Sequence, residues 1–328
     1  MSRLTTRWMG LSVCGALMAS AYGQHTNFQD RLADARQLRA SGNYREAERA
    51  LNEILRDARQ RDPASLFVAV VLDDLGATEQ DLANFAEAER LETEALSQFH
   101  KAGQKDTAPV AVVESHLGET YLEQGRFREA DKLIRHSLKL LESVEPANQE
   151  ALATTMIDLA VTCEHTHRPG EAEALINRSI GILEAREGPD HPILASALIP
   201  MAAMLSKAGR YSEALRYAER AWQILSRNPN VGEPDRLNAM CVLGSLYSLT
   251  GRPLEGEVLA KQTVASAEVI YGPGHPRVSS YLQVYAAVLR RLNRKDEAKA
   301  AEKRAAAILT TNRRTTPGWN TVNVNALR

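Results

Sequence analysis

Seven stretches of the chain share one short pattern: an aromatic residue or proline, one variable residue, then Glu-Ala. They read "GNYREAE" (42–48), "ANFAEAE" (83–89), "GRFREAD" (125–131), "HRPGEAE" (167–173), "GRYSEAL" (209–215), "GRPLEGE" (251–257) and "NRKDEAK" (293–299), with Gly256 and Lys295 as departures. Their glutamates, from Glu46 to Glu297, are spaced 41, 42, 42, 42, 42 and 42 residues apart. A fixed period of this length is the signature of a stacked repeat architecture, in which one supersecondary unit recurs.

Each unit carries two helical patterns. Seven residues before the turn position stands a small residue, usually behind a large one: Leu75-Gly76, Leu117-Gly118, Leu159-Ala160, Met201-Ala202, Leu243-Gly244 and Tyr285-Ala286. After the turn, Ala47, Ala88, Ala130, Ala172, Ala214 and Ala298 repeat the device, with Gly256 in the sixth unit. Large beside small lets a second helix come close. Gly, Asn or His at the turn suits a left-handed C-cap. The Glu of Glu-Ala falls in the first turn of the second helix, where the helix dipole favours an anion. Abundant Ala, Leu, Glu and Arg, with only 5% aromatic residues, agree with an all-α chain.

The unit "HLGETYLEQGRFREADKLIRHSL" (116–138) resembles a tetratricopeptide repeat: Leu117-Gly118, Tyr121, Gly125, Phe127 and Ala130 match that motif in spacing. The usual unit has 34 residues. The longer, 42-residue form with "GPDHP" between units is similar to the repeats of kinesin light chains and their bacterial relatives. The resemblance covers about residues 28–312 and implies an α-α superhelix of seven helix pairs, repeats at about 28–62, 65–105, 108–147, 150–188, 193–230, 235–272 and 277–312. First (A) helices are expected at 28–41, 65–81, 108–124, 150–166, 193–208, 235–250 and 277–292. Second (B) helices are expected at 44–60, 85–102, 127–144, 169–186, 211–227, 253–271 and 295–311. Residues 313–328 lack helical periodicity and read as a flexible tail.

The family's pattern also implies which A-helix positions face the concave groove. They include Asp73, Gln80 and Asp81, then Ser115, Glu119 and Glu123, then Thr154, Glu164 and His165. Ser196, Ser206 and Lys207 follow, with Asn238, Ser245 and Ser248, and finally Ser280, Gln283, Arg290 and Arg291. The N-terminal half of this set is acidic, and the C-terminal half is small and polar, then basic. The resemblance implies a protein-interaction scaffold that takes a peptide or protein segment in the groove, with Arg290 and Arg291 meeting its carboxylates.

A net charge of −1 offers no basic footprint for nucleic acid or anionic lipid. The first residues stand apart. "MSRLTTR" has Arg3 and Arg7 and no acid, and the uncharged "WMGLSVCGALMASA" has the length of a signal-peptide core. Small residues at Ala19 and Ala21 predict cleavage after Ala21, with Gly23 as a second option, so residues 1–21 read as an export signal to the periplasm or beyond. Cys14 leaves with it. Cys163 and Cys241 lie two repeats apart, roughly 20 Å by helix stacking, too far for a disulfide.

No nucleophile–base arrangement or phosphate-binding glycine loop stands out, so no catalytic residue, metal ligand or cofactor is assigned. Cys163 with His165 and His167 is the one alternative for an enzyme or metal protein, because residues four apart share a helix face. A structural envelope protein that self-associates through its end repeats is another. Pro200, inside the fifth A helix, predicts a kink or a late helix start. The strings "GPDHP" (188–192) and "GPGHP" (272–276) lie 84 residues apart, two periods, so His191 and His275 read as punctuation at helix starts rather than as catalytic groups.

Overall fold

A computed structural model describes residues 26–144, 148–228 and 232–315. The candidate export signal and the tail beyond residue 315 lie outside the described residues. Those described contain fourteen α-helices and no strand: α1 Thr26–Ala40, α2 Tyr44–Arg61, α3 Leu66–Asp81, α4 Phe85–Lys101, α5 Ala108–Glu123, α6 Phe127–Ser143, α7 Gln149–His165, α8 Pro169–Glu187, α9 Ala195–Lys207, α10 Tyr211–Arg227, α11 Glu233–Leu249, α12 Pro253–Tyr271, α13 Pro276–Arg291 and α14 Lys295–Thr315. Odd numbers are A helices and even numbers B helices. Every expected helix is present with its ends within two residues, except that α14 runs four residues further, into the stretch read as tail. The fifth A helix does start late: a single 3-10 turn, Pro192–Leu194, precedes α9, and Pro200 falls in its second turn.

The seven A-to-B turns are one structure repeated. Gly42, Ala83, Gly125, His167, Gly209, Gly251 and Asn293 all take the left-handed conformation, with φ between 60° and 90°. In each, the next residue's N–H returns to a carbonyl five positions back, as from Arg126 to Tyr121 at 2.8 Å and from Arg210 to Leu205 at 2.9 Å. These are Schellman closures, which satisfy the orphan carbonyls of the A helix and reverse the chain into the B helix.

Packing follows the large-beside-small pattern. A Cβ built on Gly118 would lie 2.3 Å from Ile134 Cγ1, and one on Gly76 would lie 2.8 Å from Glu92 Cγ. The A helix touches the B helix through bare backbone there. Around these contacts Leu72, Leu91, Ile134, Leu152, Met156, Leu159, Ile176 and Leu183 are fully buried. Each such side chain contributes about 1.5–3 kcal/mol by leaving water.

The outer edge carries a ladder of arginines at the same 42-residue period. Arg126, Arg168, Arg210, Arg252 and Arg294 each precede a B helix and reach forward to the Glu-Ala glutamate, as in Arg126–Glu129 and Arg210–Glu213 at 2.6 Å. Each also reaches back to an acid of the preceding B helix: Glu89, Asp131, Glu173, Glu219 and Glu257. Leu215 occupies the slot of Asp131, Glu173 and Glu257, and there Arg252 makes only a 3.7 Å approach to Glu219. Exposed pairs of this kind contribute little each. Their regular spacing does tie each repeat to its neighbour in one register.

A solenoid repeat ordinarily touches only its neighbours. Here the two ends of the array also touch each other. Tyr44, at the start of α2, stacks on Tyr271, the last residue of α12, with ring centroids 5.8 Å apart and planes 8° apart. His275 Nδ1 accepts the Arg277 backbone N–H at 3.2 Å, which leaves the proton on Nε2, and Nε2 donates to the Asp81 carbonyl at 3.1 Å, 194 residues away. The Asp81 carboxylate holds Arg39 at 2.7 Å and Arg277 at 3.3 Å. A Cβ on Gly232 would lie 2.0 Å from the Ala40 carbonyl oxygen. The turn edge of repeats 1 and 2 thus meets the loop edge of repeats 6 and 7, and the superhelix closes one turn. The histidine of "GPGHP" is a helix cap and a bridge across that closure. His191 of "GPDHP" likewise caps its helix start, accepting the Ile193 N–H at 3.4 Å.

Candidate functional site

The inner wall is built by the A helices, and polar rungs join the first five in sequence and the sixth to the seventh. Arg39 meets Asp81 at 2.7 Å, Asp73 meets His116 at 2.8 Å, and Ser115 donates to Asp158 at 2.9 Å. Lys207 meets Glu164 at 3.2 Å, and the Tyr281 hydroxyl donates to Asn238 at 2.8 Å. The partners lie 42 or 43 residues apart, one period or one more. Register between repeats is therefore set by side chains on the wall as well as by the core.

Asp81 and Glu123 of repeats 2 and 3 both feel the charge of Arg277 from repeat 7, so these positions look across the enclosed space. Helical spacing puts 116, 119 and 123 on one stripe, and the 42-residue period carries the stripe to every A helix. In repeats 2 to 4 it holds Asp74, Ala77, Asp81, His116, Glu119, Glu123, Asp158, Val161 and His165. In repeats 5 to 7 it holds Pro200, Ala203, Lys207, Val242, Ser245, Leu249, Val284, Ala287 and Arg291. One side of the hollow is mostly charged, with Ala77 and Val161 as its apolar positions, and the other is mostly apolar. The side chains of Arg277, Arg39 and His116 are 39%, 35% and 31% exposed, so this is a wetted hollow rather than a sealed core.

Most of the acids have cations within the chain. Burial by itself would push His116 down, but the Asp73 charge and hydrogen bond outweigh it and raise the imidazole to about 10, so it is a cation. His275 goes the other way: burial, helped by Arg277, lowers it to about 4, and it is neutral. Three carboxyls differ. Asp158 is held well above the usual range by burial and by the Glu119 charge facing it, and Glu123 is pushed up by burial. Glu119, Asp158 and Glu123 form the acidic part of the wall and make no ion pair among the described residues, although Arg277 acts on Glu123 and His116 on Asp158 from further away.

The residues expected in the groove fall into three groups. Glu119, Glu123, Lys207, Ser245 and Arg291 sit on the inner stripe, and Asn238, Ser196 and Ser280 lie exposed one turn earlier on their helices. Asp73, Ser115 and Gln283 lie one position off the stripe, at the seams between A helices. Ser115 is buried there, hydrogen-bonded to Thr155 and Asp158, and Gln283 donates to Ser279 at 3.4 Å. Glu164, Ser248 and Arg290 share a third slot. Glu164 pairs with Lys207, Ser248 packs against Gly256 of its own B helix, and Arg290 forks onto Glu302 of α14 at 2.8 Å. Arg290 therefore meets its carboxylate inside the chain.

Residue counting passed over His116 and Asp158, one position beyond Ser115 and its equivalent, and Arg39, Tyr44, Tyr271 and Arg277 at the closure, and it gave His275 only its place at a helix start. The first two were visible as charged residues at one slot in consecutive repeats. The closure had no local signal.

The cysteine and histidines of repeat 4 do not converge. Cys163 takes the slot of Tyr121 and Tyr247, is fully buried, and its thiol is pushed up to about 11 by that burial. His165 stacks on Phe127 at 4.5 Å between centroids, and His167 is exposed at the left-handed turn. Arg126 and Arg252 lie over Tyr121 and Tyr247 at 3.9 and 3.8 Å, so the slot Cys163 occupies serves as a packing seat under an arginine. Cys163 and Cys241 are both free. Among the described residues no group of three or more potential ligands could hold a metal, and no helix is long and apolar enough to cross a membrane.

A family model described as "Tetratricopeptide repeat" matches residues 109–185, 153–227 and 235–311. Among solved structures, the Rap conjugation gene regulator of the plasmid pLS20, in complex with the Phr* peptide, aligns with a TM-score of 0.70 at 15% identity, over 97% of this chain and 83% of that one. A Rap protein complexed with competence and sporulation factor gives 0.63 at 15% identity, over 87% and 78%. The kinesin-light-chain TPR-like repeats of Podosopora anserina give 0.45 at 19% identity, over 61% and 95%. No curated protein matches the chain.

Proposed function

We propose a role for the hollow on one premise, that the chain belongs to the tetratricopeptide repeat family. The protein is a non-catalytic binding scaffold, and its ligand is a peptide segment held inside the superhelix. The observation that carries this reading is the two-sided wall. Apolar Val242, Leu249 and Val284 can take apolar side chains, while Glu119, Asp158 and Glu123 offer carboxyls to a cationic group and hydrogen-bonding oxygens to backbone N–H groups. Small residues at 203, 245 and 287 leave room for a main chain between the two sides. The Rap structure bound to the Phr* peptide supports a peptide as the class of ligand.

The reading predicts that the purified protein retains a subset of a random ten-residue linear peptide pool, enriched in sequences with apolar and basic residues together. Val242→Arg combined with Val284→Arg should cut that retention at least tenfold, because it places two charges on the apolar side. Arg178→Ala, on an outer B helix, should leave retention unchanged. Equal retention by all three proteins in a pull-down read by mass spectrometry would refute the assignment to the hollow.

A further inference from the structure

The closure between the ends has a consequence for which ligands can reach the wall. An open solenoid accepts a segment sideways, so a loop or strand still anchored at both ends in a folded partner can lie down in its groove. A closed turn has no lateral entrance. A chain can enter it only along the superhelix axis, where a free end passes as a single strand while a segment anchored at both ends must enter doubled back as a hairpin.

Four kinds of contact seal the seam. The Tyr44–Tyr271 stack is its apolar part. The His275–Asp81 hydrogen bond joins a loop to the end of α3, and its two nitrogens are both engaged, one in capping α13 and one across the seam. Asp81 accepts charge from both sides, from Arg39 of repeat 1 and Arg277 of repeat 7. Backbone meets side chain or backbone directly at Gly42 and Gly232, whose missing Cβ atoms would lie 3.2 Å from Ile270 Cγ2 and 2.0 Å from the Ala40 carbonyl oxygen. Gly232 has φ −57° and ψ 144°, an ordinary conformation for any L residue. Its glycine is needed by the approach of repeat 1 and by nothing in its own backbone.

We propose that this seam makes the hollow selective for free chain ends, short linear peptides that enter along the axis, over segments held at both ends by a folded protein. The proposal rests on the hollow being the ligand site, and the seam itself can be tested without any ligand.

The experiment has two arms on the same proteins. In the first, azide-bearing residues at exposed positions 49 on α2 and 265 on α12 carry spin labels, and the distance between them is measured by pulsed electron resonance. Wild type should give one narrow distance. Gly232→Ala should lengthen and broaden it, because its methyl group cannot fit against Ala40, while circular dichroism stays that of the intact solenoid. Arg277→Gln, which removes the Asp81 ion pair and adds no bulk, is the second variant should Gly232→Ala fail to fold. In the second arm, one random ten-residue library is offered as free linear peptides and as a loop displayed on a folded carrier. Wild type should retain free peptides at least tenfold over loops, and the opened variant should bring that ratio towards one.

A broad or long distance in wild type overturns the seam. A narrow distance with equal retention of loops and free peptides overturns the selectivity. Retention of neither library overturns the peptide reading, and the selectivity with it, while the distance arm still decides the seam on its own.

Discussion

Gly118→Ala should lower the unfolding free energy by about 1–3 kcal/mol, the range for forcing one extra methyl group into a packed interior. A Cβ at this position would sit 2.3 Å from Ile134 Cγ1 and 3.0 Å from its Cδ1, inside any contact real atoms show. Ile134 is fully buried and branched at Cβ, so its rotamer has little freedom to yield. Helix α5 must move away from α6, and the repeat stack transmits the displacement. Ile134→Ala alone should cost about 2–5 kcal/mol through lost burial and the cavity left behind. The two together should cost less than their sum, because the methyl added at 118 then occupies part of the space vacated at 134. Urea unfolding midpoints of the four proteins check the cycle, and strict additivity would show that the two residues do not meet.

The second large effect concerns a carboxyl where the repeat calls for an aliphatic side chain. Glu92 on α4 is fully buried in the slot that holds Ile134 and Ile176 in the next two repeats, with Gly76 making room for it. Its Oε2 is 2.8 Å from the Thr120 hydroxyl and its Oε1 is 2.9 Å from Gln80 Nε2. Burial raises its pKa to about 8, against the Thr120 hydrogen bond and the nearby His116 charge. The folded protein thus keeps a proton that the unfolded chain releases near the ordinary 4.5. Stability from this group is fully present below 4.5 and is lost as pH rises through 8.

Glu92→Gln keeps an acceptor for Gln80, and Thr120, whose hydroxyl can donate or accept, serves the amide. The variant should therefore lack roughly 1–3 kcal/mol of the decline that wild type shows between pH 5 and 8. The check is the difference between the two proteins in denaturant unfolding across that range, in which the other titrating groups cancel. Parallel pH profiles would mean that Glu92 is already ionised in the fold.

Glu92 also marks how far the sequence could be read. Lining up the repeats places it opposite Ile134 and Ile176, so its anomaly was visible before any coordinates. The helices and turns were legible for the same reason: each left-handed turn and each small residue answers a demand made by its own repeat or the next. Pro200 was legible only as a disturbance, since its missing N–H is compatible with either a kink or the 3-10 start that the fold adopts. The groove was less legible. A 42-residue period says which face an A helix turns inward, but a one-position step separates Ser115, buried in a seam, from His116 on the wall. Arg290 sits in a slot whose equivalents face neighbouring helices, and Glu302 takes its charge.

The closure was not legible at all. Nearest-neighbour periodicity carries no information about whether small rotations between repeats add up to bring Asp81 against His275.

Ligand is expected to bind on the inner wall. The outer surface offers a rival, because Leu254, Val258 and Val269 form an exposed apolar stripe on α12, with Leu254 69% and Val269 85% exposed. Photo-crosslinking decides between them. With benzoylphenylalanine in place of Val242 on the inner stripe, or of Leu254 on the outer one, irradiation with the retained linear peptides should give adducts at 242 and none at 254. Adducts at 254 and none at 242 would place the ligand on the outer stripe and overturn binding in the hollow.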